Sequence, residues 1–258
     1  MSSTARLAGK TALVTGGSRG IGRAISRRLA HEGALVAVHY GHDLTAAERT
    51  VKEIEADGGR AFAVHAELGP PGDADTLWSS FDRILADQGA EGGLDILVNN
   101  AGITVPRPLA DVTEADYDRV FAINTKAPFF IIQRGLARLR DGGRIINISS
   151  VATRVAFPAI VSYTMTKAAL DHLTLTLAQE LGPRGITVNA VAPGYTETEI
   201  NPTLAIPEIR RRYSEASTFN RLGQPTDIAD VVAFVASDDA RWVTGQWIDA
   251  SGGAHLGV

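Results

Sequence analysis

Short apolar runs alternate along the chain with longer stretches in which apolar residues recur at helical spacing. Thr11–Thr15 (TALVT) reads as a buried strand, followed by a helix from about Ile21 to Ala30. Leu35–Val38 and Ala61–His65 repeat the strand pattern, each followed by a helix, at Leu44–Ala56 and Thr76–Asp87. Ile96–Asn99 is a fourth strand, Glu114–Leu139 a long helix and Arg144–Ser149 a fifth strand. Val161–Leu181 reads as another long helix and Thr187–Val191 as a sixth strand. From Pro193 to Pro225 the alternation stops, then resumes with a helix at Asp227–Ala236 and a last strand at Trp247–Asp249.

Strands that are apolar along their whole length need cover on both faces, and helices between them supply parallel crossovers. The pattern therefore predicts α/β architecture: a doubly wound parallel sheet with helices on both faces, of Rossmann type. No repeat, low-complexity tract or linker divides residues 1–258, so a single domain is expected. The irregular stretch exceeds ordinary loop length, as lids and binding segments do; residues 195–222 are the expected substrate lid.

Composition narrows the function classes. With 258 residues, 45% hydrophobic and 21% charged, the chain can bury a full core and leave a crevice. A net charge of −4 gives no electrostatic footprint for nucleic acid or an anionic membrane. The absence of cysteine excludes disulfides, thiolate metal sites and cysteine nucleophiles. The opening MSSTARLAGK has no apolar leader core, and no apolar run approaches the roughly 20 residues that span a bilayer. A cytoplasmic protein with no membrane or nucleic-acid partner is expected.

Candidate chemistry lies at three strand ends. In TGGSRGIG, Gly16, Gly20 and Gly22 stand between a strand and a helix, where small residues let a pyrophosphate approach the helix N-terminus. The spacing G-x-x-x-G-x-G differs from G-x-G-x-x-G, and a tight turn without ligand is the competing reading. The second strand ends Val38-His39-Tyr40-Gly41, with no carboxylate before Asp43, while Arg19 lies inside the glycine loop and His39 and His42 are close in sequence. A ribose 2′-phosphate would meet cation and donors there, favouring NADP(H) over NAD(H); each histidine alone could equally be a solvated loop residue. Asn99–Gly102 (NNAG) ends the fourth strand, where open α/β sheets bind ligands. Tyr163 and Lys167 share one helix face, and an ammonium beside a phenol draws its pKa down from about 10. Ser150 lies thirteen residues before Tyr163.

Together TGGSRGIG, LDILVNNAG, Asn124 in INTKAPFF, IINISS, YTMTK, VNAVAPG and SGG resemble the short-chain dehydrogenase/reductase family over nearly the whole chain. The resemblance is to its 3-oxoacyl-(acyl-carrier-protein) reductase-like branch, which includes polyketide ketoreductases and many alcohol dehydrogenases. It implies a seven-stranded sheet and a homotetramer or dimer. It makes Tyr163 the proton donor, Lys167 the residue that lowers its pKa and holds the nicotinamide ribose, Ser150 the partner of the substrate oxygen, and Asn124 the holder of a relay water. The family interval selects Ser150 over Ser149. Cofactor contacts would come from Gly16, Ser18, Arg19, Gly20, Ile21 and Gly22 in the loop, and His39, Tyr40 and Gly41 after the second strand. Glu67, where relatives usually have Asp, would lie with Leu68 beside the adenine. Asn100, Ala101 and Gly102 would border the ribose, and Pro193, Gly194, Thr196 and Thr198 the nicotinamide carboxamide; an aliphatic residue is more usual at Thr196. No metal is implied.

Ile103–Pro106, Val155–Pro158, Tyr195 and a lid carrying Ile200, Leu204, Ile206 and Tyr213 would wall the substrate pocket, pointing to an apolar substrate unless these residues pack the lid. Arg210–Arg212 would greet an anionic or carrier-bound substrate, or else form a solvated helix face. Asp141 makes the ARLRDGG edge less basic than docking of acyl carrier protein would need. The expected activity is NADPH-dependent reduction of a mostly apolar ketone, a 3-oxoacyl thioester or a polyketide-type ketone. The alternatives are an NAD(P)-dependent dehydrogenase of a steroid, sugar or small secondary alcohol, and a non-catalytic dinucleotide sensor.

Overall fold

The computed structural model describes residues 5–89, 92–199, 201–254 and 256. Its strands are β1 (Thr11–Val14), β2 (Leu35–Tyr40), β3 (Arg60–His65), β4 (Leu94–Asn99), β5 (Leu139–Ile148), β6 (Thr187–Pro193) and β7 (Trp247–Ala250). They pair in parallel as one seven-stranded sheet in the order β3-β2-β1-β4-β5-β6-β7. The chain builds outward from β1 to β3, then crosses back to place β4 on the other side of β1. That reversal opens a crevice at the carboxyl ends of β1 and β4, where Val14 pairs with both Val38 and Val98.

The helices are α1 (Gly20–His31), α2 (Leu44–Ala56), α3 (Asp73–Asp87), α4 (Glu114–Phe121), α5 (Ala127–Gly135), α6 (Val161–Leu181), α7 (Pro207–Glu215) and α8 (Pro225–Ala236). Neighbours on one strand serve opposite cores. Val14 packs with Ile25, Leu29, Ile228 and Val232 beneath α1 and α8, whereas Leu13 packs with Phe81, Trp78 and Ile131 beneath α3 and α5. This two-sided burial is why the strands read as unbroken apolar runs. Among the described residues no helix is long and apolar enough to cross a membrane, and no cluster of His, Asp or Glu could hold a metal ion.

The predicted helix Glu114–Leu139 is corrected. The α4 helix stops at Phe121, one π-helical turn covers Ala122–Lys126, α5 ends at Gly135, and Leu139 already opens β5. Pro128 has no N–H to give to the carbonyl of Asn124, so the α-helical ladder is interrupted where Asn124 sits. At the far end Gly135 lies so close to the Trp78 indole that a Cβ would come within 2.4 Å of it. Leu139 is buried and pairs with Leu94, and the register shifts before Ile96 pairs with Arg144.

The segment after β6 contains a 3₁₀ turn (Pro202–Ala205) and α7, so part of the lid is helical. Leu204 is only 7% exposed and packs the lid down, while Ile206 is 46% exposed. Ile200 lies outside the described residues.

Candidate active site

The end of β1 and the end of β4 are laced together. Thr15 Oγ1 accepts the backbone N–H of Asn100 (2.9 Å) and of Ala101 (3.0 Å), while Asn100 Nδ2 donates to Thr15 O (2.8 Å) and Gly16 O (3.1 Å). Asn99 instead turns inward, donating to Asn147 Oδ1 (2.9 Å). Gly16 has a φ of 61°, and a Cβ on Gly22 would fall 2.1 Å from Gly16 O, so the loop closes on itself only with glycine at these positions. Arg19 stands exposed at the N-cap position of α1, its side chain making no capping bond. Ile21 packs against the first core, and Thr50 Oγ1 donates to the Ser18 carbonyl (3.2 Å), tying the loop to α2. Gly20 lies under Thr198, which carries the lid over the loop.

His39 requires a correction. It is a buried residue of β2, not a solvated loop residue or a donor to a 2′-phosphate. Its Nδ1 accepts the Gly16 N–H (2.9 Å), its Nε2 lies 2.9 Å from Ala66 O, and its own carbonyl accepts the Gly17 N–H (2.9 Å). These contacts define a neutral ring with the proton on Nε2, and burial holds its pKa down at about 4. His39 is thus a strut behind the glycine loop. Asp43, the first carboxylate after β2, is occupied in capping α2 through the Ala46 N–H (2.9 Å). At the rim Tyr40 lies against the His65 ring (5.2 Å between centroids), beside Gly41, and exposed Glu67 lies 3.9 Å from His42. Leu68 packs on the second core.

Across the crevice, β5 delivers Ser150, α6 delivers Tyr163 and Lys167, and the π turn delivers Asn124. The Tyr163 hydroxyl faces Ser150, whose Oγ accepts the Ala152 N–H (3.2 Å). Ser149 faces the other way, its N–H on Val191 O (2.8 Å) and its hydroxyl buried. Lys167 Nζ donates to Ile148 O (2.8 Å) and stands 5.6 Å from the centroid of the Tyr163 ring. The expected lowering of the phenol pKa by Lys167 is corrected for this state. Burial pushes Tyr163 above its ordinary value, opposed by Ser150. Burial likewise pushes Lys167 down to about 8. Asn124 is fully buried; its Oδ1 accepts Ile103 N–H (2.8 Å) and its Nδ2 donates to Ile103 O (2.8 Å) and Thr166 Oγ1 (3.2 Å). Its amide thus clamps the segment after NNAG, and Gly102 lies between Asn124 Oδ1 and Lys167 Nζ.

On the substrate side, Tyr195 stacks on Tyr213 (4.0 Å, 10° between planes), and Phe157 meets Tyr195 edge-on (6.2 Å, 86°). Pro193 ends β6, Gly194 O lies 3.2 Å from Thr196 Oγ1, and Thr196 bridges to Gly223. Arg210 is paired with Glu197 (2.7 Å) and Arg211 lies 3.7 Å from Glu215, so two of the three consecutive arginines serve the lid's own exposed face. Asp141 is paired with Arg184 (2.8 Å). Thr15, which the sequence does not single out, was signalled only by its adjacency to the glycine loop.

A loop built for a dinucleotide, facing a Ser–Tyr–Lys group across the switch point of a parallel sheet, makes this an NAD(P)-dependent oxidoreductase acting between C=O and CH–OH groups. The chain belongs to the short-chain dehydrogenase/reductase family, in its 3-oxoacyl-(acyl-carrier-protein) reductase-like and ketoreductase branch; the matching family model, described as enoyl-(acyl carrier protein) reductase, covers residues 16–255. The 3-oxoacyl-[acyl-carrier-protein] reductase FabG of Staphylococcus aureus is 42% identical, covering 96% of this chain and 98% of its own. The angucycline C-6 ketoreductase LanV, solved with bound NADP, superimposes with a TM-score of 0.92 at 55% identity over 96% of both chains. LugOII, a promiscuous reductase catalysing keto-reduction at C1 during lugdunomycin biosynthesis, superimposes with a TM-score of 0.93 at 54% identity over 96% of this chain and 98% of its own.

Proposed function

We propose that this protein is an NADPH-dependent ketoreductase acting on a planar, mostly apolar polyketide-type ketone. The observation that carries the substrate class is the aromatic group Phe157–Tyr195–Tyr213 at the base of the lid, whose ring faces suit flat conjugated ligands. The LanV structure holding NADP and rabelomycin, 54% identical with a TM-score of 0.89, supports it. NADPH fits the residues present: exposed Arg19 for the 2′-phosphate, a pyrophosphate at the N-terminus of α1, and Asp43 diverted to capping. When bound, the cofactor supplies hydride to the carbonyl carbon.

The chain supplies the rest. Ser150 Oγ and the Tyr163 hydroxyl hold the carbonyl oxygen, and Tyr163 gives its proton to that oxygen as charge develops there. A protonated Tyr163 at neutral pH, as burial dictates, is the form that reduction requires. Lys167 holds the nicotinamide ribose and returns the proton. The side-chain amide of Asn124 is engaged within the protein, so a relay water is held through its backbone. Exposed Phe129 on α5 and Met165 and Leu175 on α6 support assembly of identical chains, a homotetramer by family habit.

The 42% identity to FabG favours a second reading, a 3-oxoacyl thioester substrate. NADPH consumption with 1-tetralone-type and quinone-fused ketones against acetoacetyl-coenzyme A separates the two. A kcat/KM at least about tenfold higher for the fused-ring ketones is expected; the reverse order would replace the first reading with the second.

A further inference from the structure

Two buried threonines on α6 make the same pair of hydrogen bonds at different heights, one of them between Tyr163 and Lys167 in sequence. Thr166 Oγ1 donates to Tyr163 O one turn back (2.6 Å) and accepts Asn124 Nδ2 from the π turn (3.2 Å). Two turns further along, Thr174 Oγ1 donates to Leu170 O (2.9 Å) and accepts Asn147 Nδ2 from β5 (2.9 Å). A threonine bonded to its own helix is common and signifies little by itself. The second bond is what sets these two apart. Each hydroxyl has one proton, spent on the helix carbonyl, so its oxygen is left to accept from the neighbouring element. A further contact of the π turn ends on the same residue, Thr125 Oγ1 donating to Thr166 O at 3.4 Å.

On its other side the Asn124 amide grips Ile103, with Oδ1 and Nδ2 each making a bond of 2.8 Å. Gly102 stands between this amide and Lys167: a Cβ there would lie 3.3 Å from Asn124 Oδ1 and 3.4 Å from Lys167 Nζ. We propose that Thr166 is a positioning residue for proton return: by joining the Asn124 amide to the first turn of α6, it sets how close the Asn124 backbone stands to Lys167. This rests on the ketoreductase reading. There Tyr163, having given its proton to the carbonyl oxygen, takes one from Lys167, and Lys167 takes one from the water held at the Asn124 backbone. Protons pass only between groups within hydrogen-bond reach, so a small drift of the π turn slows return without moving the cofactor or the ketone. The turn needs outside support, because the α-helical ladder is interrupted before Pro128. Removing the Thr166 hydroxyl also takes away a buried acceptor of the Asn124 amide, which favours such a drift.

Thr166→Val keeps the shape of the side chain and removes the hydroxyl. The ketone is 1-tetralone or acetoacetyl-coenzyme A, whichever the wild type reduces faster. In Thr166→Val kcat should fall by about tenfold or more, with KM and NADPH affinity held within about twofold. Slowed proton return has a signature that loosened packing lacks. The solvent deuterium isotope effect on kcat should exceed the wild-type value, while the effect of NADPH deuterated at C4 should shrink toward unity. Thr166→Ser, which keeps the hydroxyl, should restore kcat and both isotope effects. Thr174→Val is the control, since it breaks the matching bond to β5; it should lower thermal stability and leave kcat and the isotope effects near wild type. If Thr166→Val does not fold, Thr166→Ala against Thr166→Ser carries the same comparison. An unchanged kcat, a larger C4 isotope effect or the same signature in Thr174→Val would overturn the proposal. The join itself is read without any ketone by NMR of the Asn124 side-chain amide, identified by its loss in Asn124→Asp. Its protons should exchange with solvent at least about tenfold faster in Thr166→Val, and an unchanged rate would also overturn the proposal. A wild type that reduces no ketone would overturn the ketoreductase reading, whereas the exchange rate decides the join in either case.

Discussion

The two walls of the crevice are built from different materials. On the cofactor side Thr15, His39 and Asn100 hold the glycine loop through short, partly buried hydrogen bonds to backbone atoms. On the substrate side the lid is held by stacked rings, an isolated bridge from Thr196 to Gly223 and exposed ion pairs such as Arg210–Glu197. Exposed pairs contribute little and are screened by salt, whereas buried hydrogen bonds are costly to break. The comparison teaches that the place offered to the dinucleotide belongs to the firmly held wall, while on the proposed function the choice of ketone falls to the loosely held one. The largest expected effect lies at the catalytic group between them. On the proposed function Tyr163→Phe removes the proton donor and leaves the loop intact, so kcat should fall by about 10²–10⁴-fold with NADPH affinity retained. Stopped-flow turnover alongside fluorescence titration checks this; unchanged turnover would remove Tyr163 from the reaction.

The rigid wall also carries a pH dependence of its own. His39 is neutral in the fold, with a pKa near 4 against 6.5 for a free ring. Between those values the unfolded chain binds a proton that the folded chain does not, so stability falls as pH drops from 6.5 toward 4 and is intact above that window. The loss from this group is of order 3 kcal/mol. His39→Gln keeps a donor and an acceptor but cannot titrate. Chemical denaturation at pH 7 and pH 4.5 should show a smaller difference for the variant than for the wild type; equal differences would mean that the strut does not titrate. Arg19→Ala is a milder break. Loss of an exposed charge-assisted contact should weaken NADPH about tenfold while NADH binding changes little, as paired calorimetric titrations would show.

Legibility followed the same division. TGGSRGIG and NNAG announce the rigid wall because close backbone approach permits few residue types, and Gly22 against Gly16 O is the clearest case. Tyr163, Lys167 and Ser150 were found from spacing, since a helix turn and a strand end place them without reference to tertiary detail. What the sequence hid was burial. His39 looks like a loop residue until β2 is seen to run on to Tyr40. Apolar periodicity carried the helix through Asn124 because it does not register what Pro128 does to the ladder, nor that Gly135 must end α5 against Trp78. For Tyr163 and Lys167 side-chain spacing gives proximity, while burial, which spacing does not register, raises the phenol in this structure.

The weakest break is also the one that tests the loose wall directly. Tyr213 meets the body of the domain through its stack on Tyr195, and α7, which carries it, has no fully buried residue. Tyr213→Ala removes one ring face worth about 0.5–1.5 kcal/mol. If the aromatic group recognises a flat ketone, KM for fused-ring ketones should rise by about 2–10-fold with kcat and NADPH affinity nearly unchanged, the signature of binding lost equally from ground and transition states. Tyr213→Phe, which keeps the ring, should restore KM. A loss confined to thermal stability would make the stack a latch for the lid, and equal losses for acetoacetyl-coenzyme A would show that it does not discriminate by substrate shape.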